Sequence, residues 1–185
     1  MKLLKKIEWQ KHRVLLLKAI EGDNSASLEL IHLLSRPAYS LAWRMLANQA
    51  DAQDVVQEAF IKLWKYGTQF TGSSALSTYF YTIVSRECLN FLSEKSRYVQ
   101  DNDIEEEEFS RDVNIENLAY PKEDIKKALD TLSTKQRMAM ILWVYHDYTA
   151  QEIGKIMNMN KNSVDQLLLR AKVKLKKILT YDEGL

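Results

Sequence analysis

The sequence predicts an all-α protein: two small helical domains joined by an acidic flexible linker, the second a four-helix domain whose last two helices meet at a tight corner. Three observations carry this. The 185 residues include only five Gly and two Pro, and no stretch alternates apolar and polar positions with β-branched side chains as a strand would. Apolar residues make up 46% of the chain and recur at the spacing of a helix with one buried face. Between Tyr98 and Tyr120 that periodicity stops, and eight acidic residues stand against one basic residue. This segment is net −7 in a chain of net +1, so the remainder carries +8. The expected division is residues 1–97, a linker over 98–121, and residues 122–185.

Taken in order, Val14 to Ile20 predicts a short apolar helix ended by Gly22. Leu28 to Leu34 begins another, and Pro37 opens the next, with Ala38, Leu41, Ala42 and Met45 on one face. These three carry no evident chemistry and are expected to be core. Asp51 caps a helix over 51–66 whose stripe is Val56, Ala59, Phe60, Leu63 and Trp64. Its other face carries Asp54, Gln57, Glu58 and Lys62. A Gly/Ser-rich loop, Phe70 to Ser77, then runs into a helix that starts with Tyr79, Phe80 and Tyr81. Phe80, Ile83, Val84, Cys88 and Phe91 fall on one side of that helix, whereas Tyr79, Arg86 and Asn90 do not. Aromatic faces beside small residues and donors suit unstacked single-stranded bases, although such rings are more often core. After the linker, Ile125, Ala128, Leu129 and Leu132 predict a helix. Ser133 and Gln136 form a capping box for the next, with Met138, Ile141, Leu142 and Tyr145 on one face.

Thr149 and Glu152 form a second capping box, followed by Ile153, Ile156 and Met157. Asn158 suits a left-handed corner and Asn160 a cap for the last helix. That helix buries Val164, Leu167, Leu168, Ala171, Leu175 and Ile178. Its opposite face carries Gln166, Leu169, Arg170, Val173 and Lys177, flanked by Asp165, Lys172 and Lys176. Six basic residues against one acidic residue from Lys161 to Lys177 favour a polyphosphate partner. This is the pattern of a helix-turn-helix, in which the first helix braces and the second enters a major groove.

The chain shows no Gly-rich phosphate loop, no metal-ligand spacing and no nucleophile with a neighbouring base, and His12, His32 and His146 are scattered. No catalytic residue, metal or cofactor is expected. The lone Cys88 is expected to be a buried structural thiol. The start MKLLKKIEW has no long apolar run and no cleavage site, and no stretch is apolar enough to span a bilayer. A cytoplasmic protein without membrane insertion is expected.

Four stretches, in order, resemble the extracytoplasmic-function group of the sigma-70 family: LLLKAIEGDNSASLELI, DAQDVVQEAFIKLW, FTGSSALSTYFYTIVSRECLNFL and LSTKQRMAMILWVYHDYTAQEIGKIMNMNKNSV. The resemblance covers about Leu15 to Leu179. It implies a promoter-recognition subunit of bacterial RNA polymerase. By resemblance, Asp54, Gln57, Glu58 and Lys62 would contact core RNA polymerase. Phe70, Ser73, Ser74, Tyr79, Tyr81, Arg86 and Asn90 would bind the single-stranded −10 element, with Ser73 and Ser74 at the pocket for a flipped-out base. Lys161, Ser163, Asp165, Gln166, Leu169, Arg170 and Lys172 would read the duplex −35 element. An anti-sigma factor is a further expected partner.

The sequence also departs from the family. Tyr79 replaces the usual Trp, and Thr71 and Thr82 stand where Arg is common. Two commonly basic positions of the last helix are Asp165 and Leu167. Asp165 suits a cytosine N4 amine, Gln166 an adenine and Leu169 a thymine methyl, so an atypical −35 preference is expected. Two other readings fit part of the sequence. An autonomous duplex-binding regulator explains the helix-turn-helix alone. A polymerase-binding adaptor without a promoter fits the depleted basic positions.

Overall fold

The computed structural model describes residues 2–102 and 129–179, with side chains described over 7–95 and 129–178. Among these residues are seven α-helices and no strand. They belong to two compact units that divide between Asp101 and Asn102.

The first unit contains α1 (Lys2–Ile20), α2 (Asn24–Leu46), α3 (Gln49–Tyr66) and α4 (Leu76–Asn102). A 3-10 turn over Gly67–Gln69 follows α3. Helix α2 packs against both α1 and α3. Leu16, Leu30, Leu34, Leu41, Met45, Leu63, Leu76 and Phe80 are fully buried and make the core. At roughly 1.5–3 kcal/mol for each large apolar side chain removed from water, these residues supply the main drive for the unit to close.

Several boundaries differ from the sequence expectation, and the reasons are physical. Helix α1 begins at Lys2 rather than Val14; Leu16 and Ala19 bury one face, whereas no side chain from Ile7 to Val14 is buried, so apolar periodicity does not mark those turns. Pro37 lies inside α2 rather than at a start. A proline costs a helix its hydrogen bond to the preceding turn. Here buried Leu34 on one side and Ala38 and Leu41 on the other hold the chain helical through it. Asn48, not Asp51, caps α3, its Oδ1 accepting from the Asp51 N–H at 3.0 Å. Asp51 sits in the first turn and pairs with Lys95 of α4 at 3.7 Å. Helix α4 runs to Asn102, so 98–102 are helical where a linker was expected. The rest of the expected linker and the helix expected at Ile125 and Ala128 lie outside the described residues.

The second unit contains α5 (Thr134–Tyr145), α6 (Ala150–Met157) and α7 (Lys161–Leu179), with α5 and α6 both packed on α7. Both expected capping boxes form. The Ser133 N–H donates to Gln136 Oε1 at 3.1 Å, and the Thr149 N–H to Glu152 Oε2 at 2.9 Å. Met138, Ile141, Leu142, Ile153, Ile156, Val164 and Ala171 form the core. The α7 stripe is buried at Val164, Leu168 and Ala171 and only half-buried at Leu167, Leu175 and Ile178.

Candidate functional site

The corner between α6 and α7 is set by short-range chemistry. Asn158 ends α6 with φ 53° and ψ 49°, the left-handed conformation its short polar side chain tolerates. The Met159 N–H returns to the Gly154 carbonyl at 2.8 Å. Gly154 is required there, since a Cβ on it would stand 2.6 Å from the Met159 carbonyl oxygen. Asn160 then caps α7, accepting from the Ser163 N–H at 2.8 Å. The Asn pair is legible in the sequence as a corner, whereas the need for Gly154 is not, its interruption of a helical pattern being the available signal.

Helix α7 presents Gln166, Leu169 and Arg170 to solvent, with Leu169 56% exposed. An open groove of about 800 Å³ lined by Asn160, Lys161, Ser163, Gln166, Leu167 and Arg170 runs along its start. Three of the helix's cations are engaged within the unit. Lys161 pairs with Asp165 at 2.6 Å, Lys172 lies 3.6 Å over the Trp143 ring, and Lys174 donates to the Thr131 carbonyl at 3.3 Å. The formal basic excess of α7 therefore overstates what it offers a phosphate.

On α3, Asp54, Gln57 and Glu58 are exposed. Lys62, expected beside them at a partner, is turned inward to Glu87 of α4 at 2.5 Å and to Glu58 at 3.5 Å. Its hydrogen bond to Glu87 raises its pKa above the usual lysine value, against the opposing effect of burial. A groove of about 280 Å³ between α3 and α4 is lined by Asp54, Glu58, Lys62, Glu87, Asn90 and Glu94, among others. Asn90, expected at single-stranded DNA, thus shares a carboxylate-walled groove with the residues expected at the polymerase.

The loop before α4 and the first turns of that helix hold the remaining residues. Phe70 and Tyr81, expected on the ligand surface, are core side chains, 3% and 5% exposed. Phe70 packs against Tyr79 with ring centroids 5.1 Å apart. Tyr79 remains half-buried, its hydroxyl donating to the Tyr66 carbonyl at 3.3 Å, and burial raises its pKa while Arg86 opposes the shift. Ser73 is exposed and accepts from Thr71 Oγ1 at 3.0 Å, Ser74 is half-buried, and Arg86 is exposed. Gly72, at φ 70°, lets the loop turn.

Two residues that the sequence reading passed over hold this loop. From α1, Arg13 Nε donates to the Phe70 carbonyl at 3.1 Å, and Gln10 Nε2 donates to the Gly72 carbonyl at 3.4 Å. No local signal marks them, because about sixty residues separate the partners.

Among the described residues no group of three or more His, Cys, Asp or Glu converges as a metal site, and no helix is long and apolar enough to cross a membrane. Burial pushes the Cys88 thiol up to about 12.

Comparison with known proteins accounts for both units. Residues 30–98 match the Sigma-70 region 2 family and residues 122–175 the Sigma-70, region 4 family. RNA polymerase sigma factor SigV of Bacillus subtilis is 31% identical over 147 residues, covering 80% of this chain and 86% of that protein. The ECF RNA polymerase sigma-E factor of Escherichia coli K12 is 28% identical over 172 residues, covering 86% and 90%. The sigma factor RpoE from Bartonella quintana, solved with the anti-sigma factor NepR, superposes with a TM-score of 0.69 at 26% identity, covering 83% of this chain and 96% of that one. CnrH, solved with the cytosolic domain of CnrY, shares the fold at a TM-score of 0.67 and 17% identity, covering 92% and 97%. The chain belongs to the sigma-70 family and is an RNA polymerase sigma factor of the extracytoplasmic-function type.

Proposed function

We propose that the chain binds core RNA polymerase through the α3 face, captures the non-template strand of the −10 element at the loop before α4, and reads the −35 duplex with α7. The observation that supports this most directly is the capped, glycine-cornered α6–α7 pair, with Gln166, Leu169 and Arg170 on its exposed face. Asp54, Gln57 and Glu58 form the polymerase face, and Asn90 joins them, because a groove walled by carboxylates repels phosphates. Ser73, Ser74, Tyr79 and Arg86 form the −10 face, with Phe70 and Tyr81 supporting it from beneath. Base capture needs no catalytic group: extrusion costs a few kcal/mol, and stacking of about 1–3 kcal/mol per base offsets it. The protein works in the cytoplasm, where polymerase is. An anti-sigma protein covers these faces when transcription is off, as RpoE and CnrH were solved with partners of their own.

At the −35 face, Lys161 and Asp165 act together. Asp165 accepts from a cytosine N4 amine, and Lys161 moves to the adjacent phosphate. Binding-site selection with Asp165→Arg should lose the preference for cytosine at one position; an unchanged consensus would remove this role.

The decisive experiment mixes the chain with core RNA polymerase and transcribes a library of promoter fragments. A one-to-one complex initiating at a defined set of promoters is expected. A complex without initiation would favour an adaptor. Specific duplex binding without any complex would favour an autonomous regulator.

A further inference from the structure

The loop expected to hold an extruded base and its backbone has no charge of its own. Between Lys65 and Arg86 no residue is Asp, Glu, Lys or Arg. Thr71 and Thr82 stand, by the resemblance, where arginine is common, so a polyanion entering the loop itself meets hydroxyls, aromatic rings and backbone, and the exposed Arg86 lies beyond it on α4. A strand whose affinity comes largely from its phosphates needs a cation within reach.

Besides Arg86, the structure brings a further cation to the loop itself from α1. Arg13 of α1 reaches the loop across 57 residues of sequence and places Nε 3.1 Å from the Phe70 carbonyl. Its Cδ lies 3.3 Å from where a Cβ on Gly72 would stand, and Gln10 lies closer still, at 2.8 Å. Gly72 is favoured by its φ of 70°, and these side chains lie close against it. The Phe70 bond uses one of the five N–H donors of a guanidinium. Arg13 is only half-buried, and the loop it holds exposes Thr71 and Ser73 on either side of Gly72. Arg13 and Gln10 also precede residue 30, where the match to the region 2 family begins.

We infer that Arg13 is a single-stranded-DNA phosphate ligand, presented by α1 to replace in space the charge that Thr71 and Thr82 lack in sequence. Nε anchors the guanidinium to the loop backbone, and the terminal nitrogens grip the phosphate next to the captured base. Fixing the fork through the Phe70 carbonyl removes side-chain entropy before the strand arrives. Gln10, on the Gly72 carbonyl, holds the loop open without contributing charge. The inference rests on the proposed −10 face.

The test uses holoenzyme reconstituted with the full chain. Its probe is a single-stranded oligonucleotide recovered from a randomised pool by the wild-type holoenzyme. Arg13→Gln retains a donor for the Phe70 carbonyl but no charge, whereas Arg13→Lys retains the charge. Arg13→Gln should bind the probe roughly fivefold to tenfold more weakly at low salt. The slope of log affinity against log salt should fall by about 0.7, the value for one phosphate contact on a single strand. Arg13→Lys should keep the wild-type slope, and both variants should bind core polymerase and melt as the wild type does. An unchanged slope in Arg13→Gln overturns the inference, whether or not affinity drops, because a strut for the loop would act independently of salt. A wild-type holoenzyme that retains no oligonucleotide overturns the proposed −10 face and this inference together.

Discussion

At the scale of single residues, the usual rules can change sign with context. Glycine to alanine inside a helix ordinarily gains up to about 1 kcal/mol. At Gly154 the added methyl would stand 2.6 Å from the Met159 carbonyl oxygen, an atom of the backbone that fixes the corner. Gly154→Ala should therefore lose about 1–3 kcal/mol. Chemical denaturation of the full chain checks this, and a variant as stable as the wild type would show that the corner can open at no cost. Cys88 gives a second test. Burial raises its thiol from 9.0 to about 12. The unfolded chain thus releases this proton first as pH rises, while the folded chain retains it. Stability linked to the thiol is complete below pH 9 and falls by up to about 1.4 kcal/mol per pH unit above it. The advantage of the wild type over Cys88→Ala should accordingly shrink between pH 9 and 10.5. An advantage independent of pH would mean that the thiol titrates normally.

At the scale of elements, what could be read from sequence was what is local. The two capping boxes, the Asn158 corner, the Asn160 cap and the α3 positions Val56, Ala59 and Leu63 all depend on residues a few positions apart, and all appear as expected. Phe70 and Tyr81 depend on what packs over them, and Lys62 on a carboxylate 25 residues away. A surface stripe and a brace look alike until the neighbouring helix is placed. The Lys62–Glu87 pair is such a brace. With the Glu87 side chain only 14% exposed, it ties α3, the proposed polymerase face, to α4, which begins the proposed −10 face. Lys62→Met would leave Glu87 and Glu58 facing one groove without their cation. A loss of about 1–2 kcal/mol is expected, discounted because Lys62 itself is one-third exposed. The charge swap Lys62→Glu with Glu87→Lys should recover part of it, and a swap no better than either single change would argue against the pair. The raised Lys62 pKa sets the pH window: the contribution is complete below 10.5 and is lost only as pH rises through the higher folded value.

At the scale of the whole molecule, the charge distribution matters more than the total. The chain is nearly neutral because 98–120, at net −7, offsets a remainder of +8. Within the second unit, Lys161, Lys172 and Lys174 are already engaged with Asp165, Trp143 and the Thr131 carbonyl, so α7 offers duplex DNA less positive charge than its composition suggests. The free chain should therefore bind duplex weakly, held back by a nearly balanced total charge and by cations with internal partners. Replacing Glu105, Glu106, Glu107 and Glu108 with Gln changes neither length nor apolar content but moves the chain from net +1 to net +5. Duplex affinity at low salt should then rise several-fold. The gain should fade as the screening length shortens to roughly 8 Å at physiological ionic strength. Fluorescence anisotropy on a duplex chosen by the holoenzyme gives both quantities. If the variant binds as the wild type does at every salt concentration, the segment's charge is not felt at α7. Weak duplex binding by the free chain would then come from α7 itself, and the contribution of core polymerase would be to add contacts rather than to relieve repulsion.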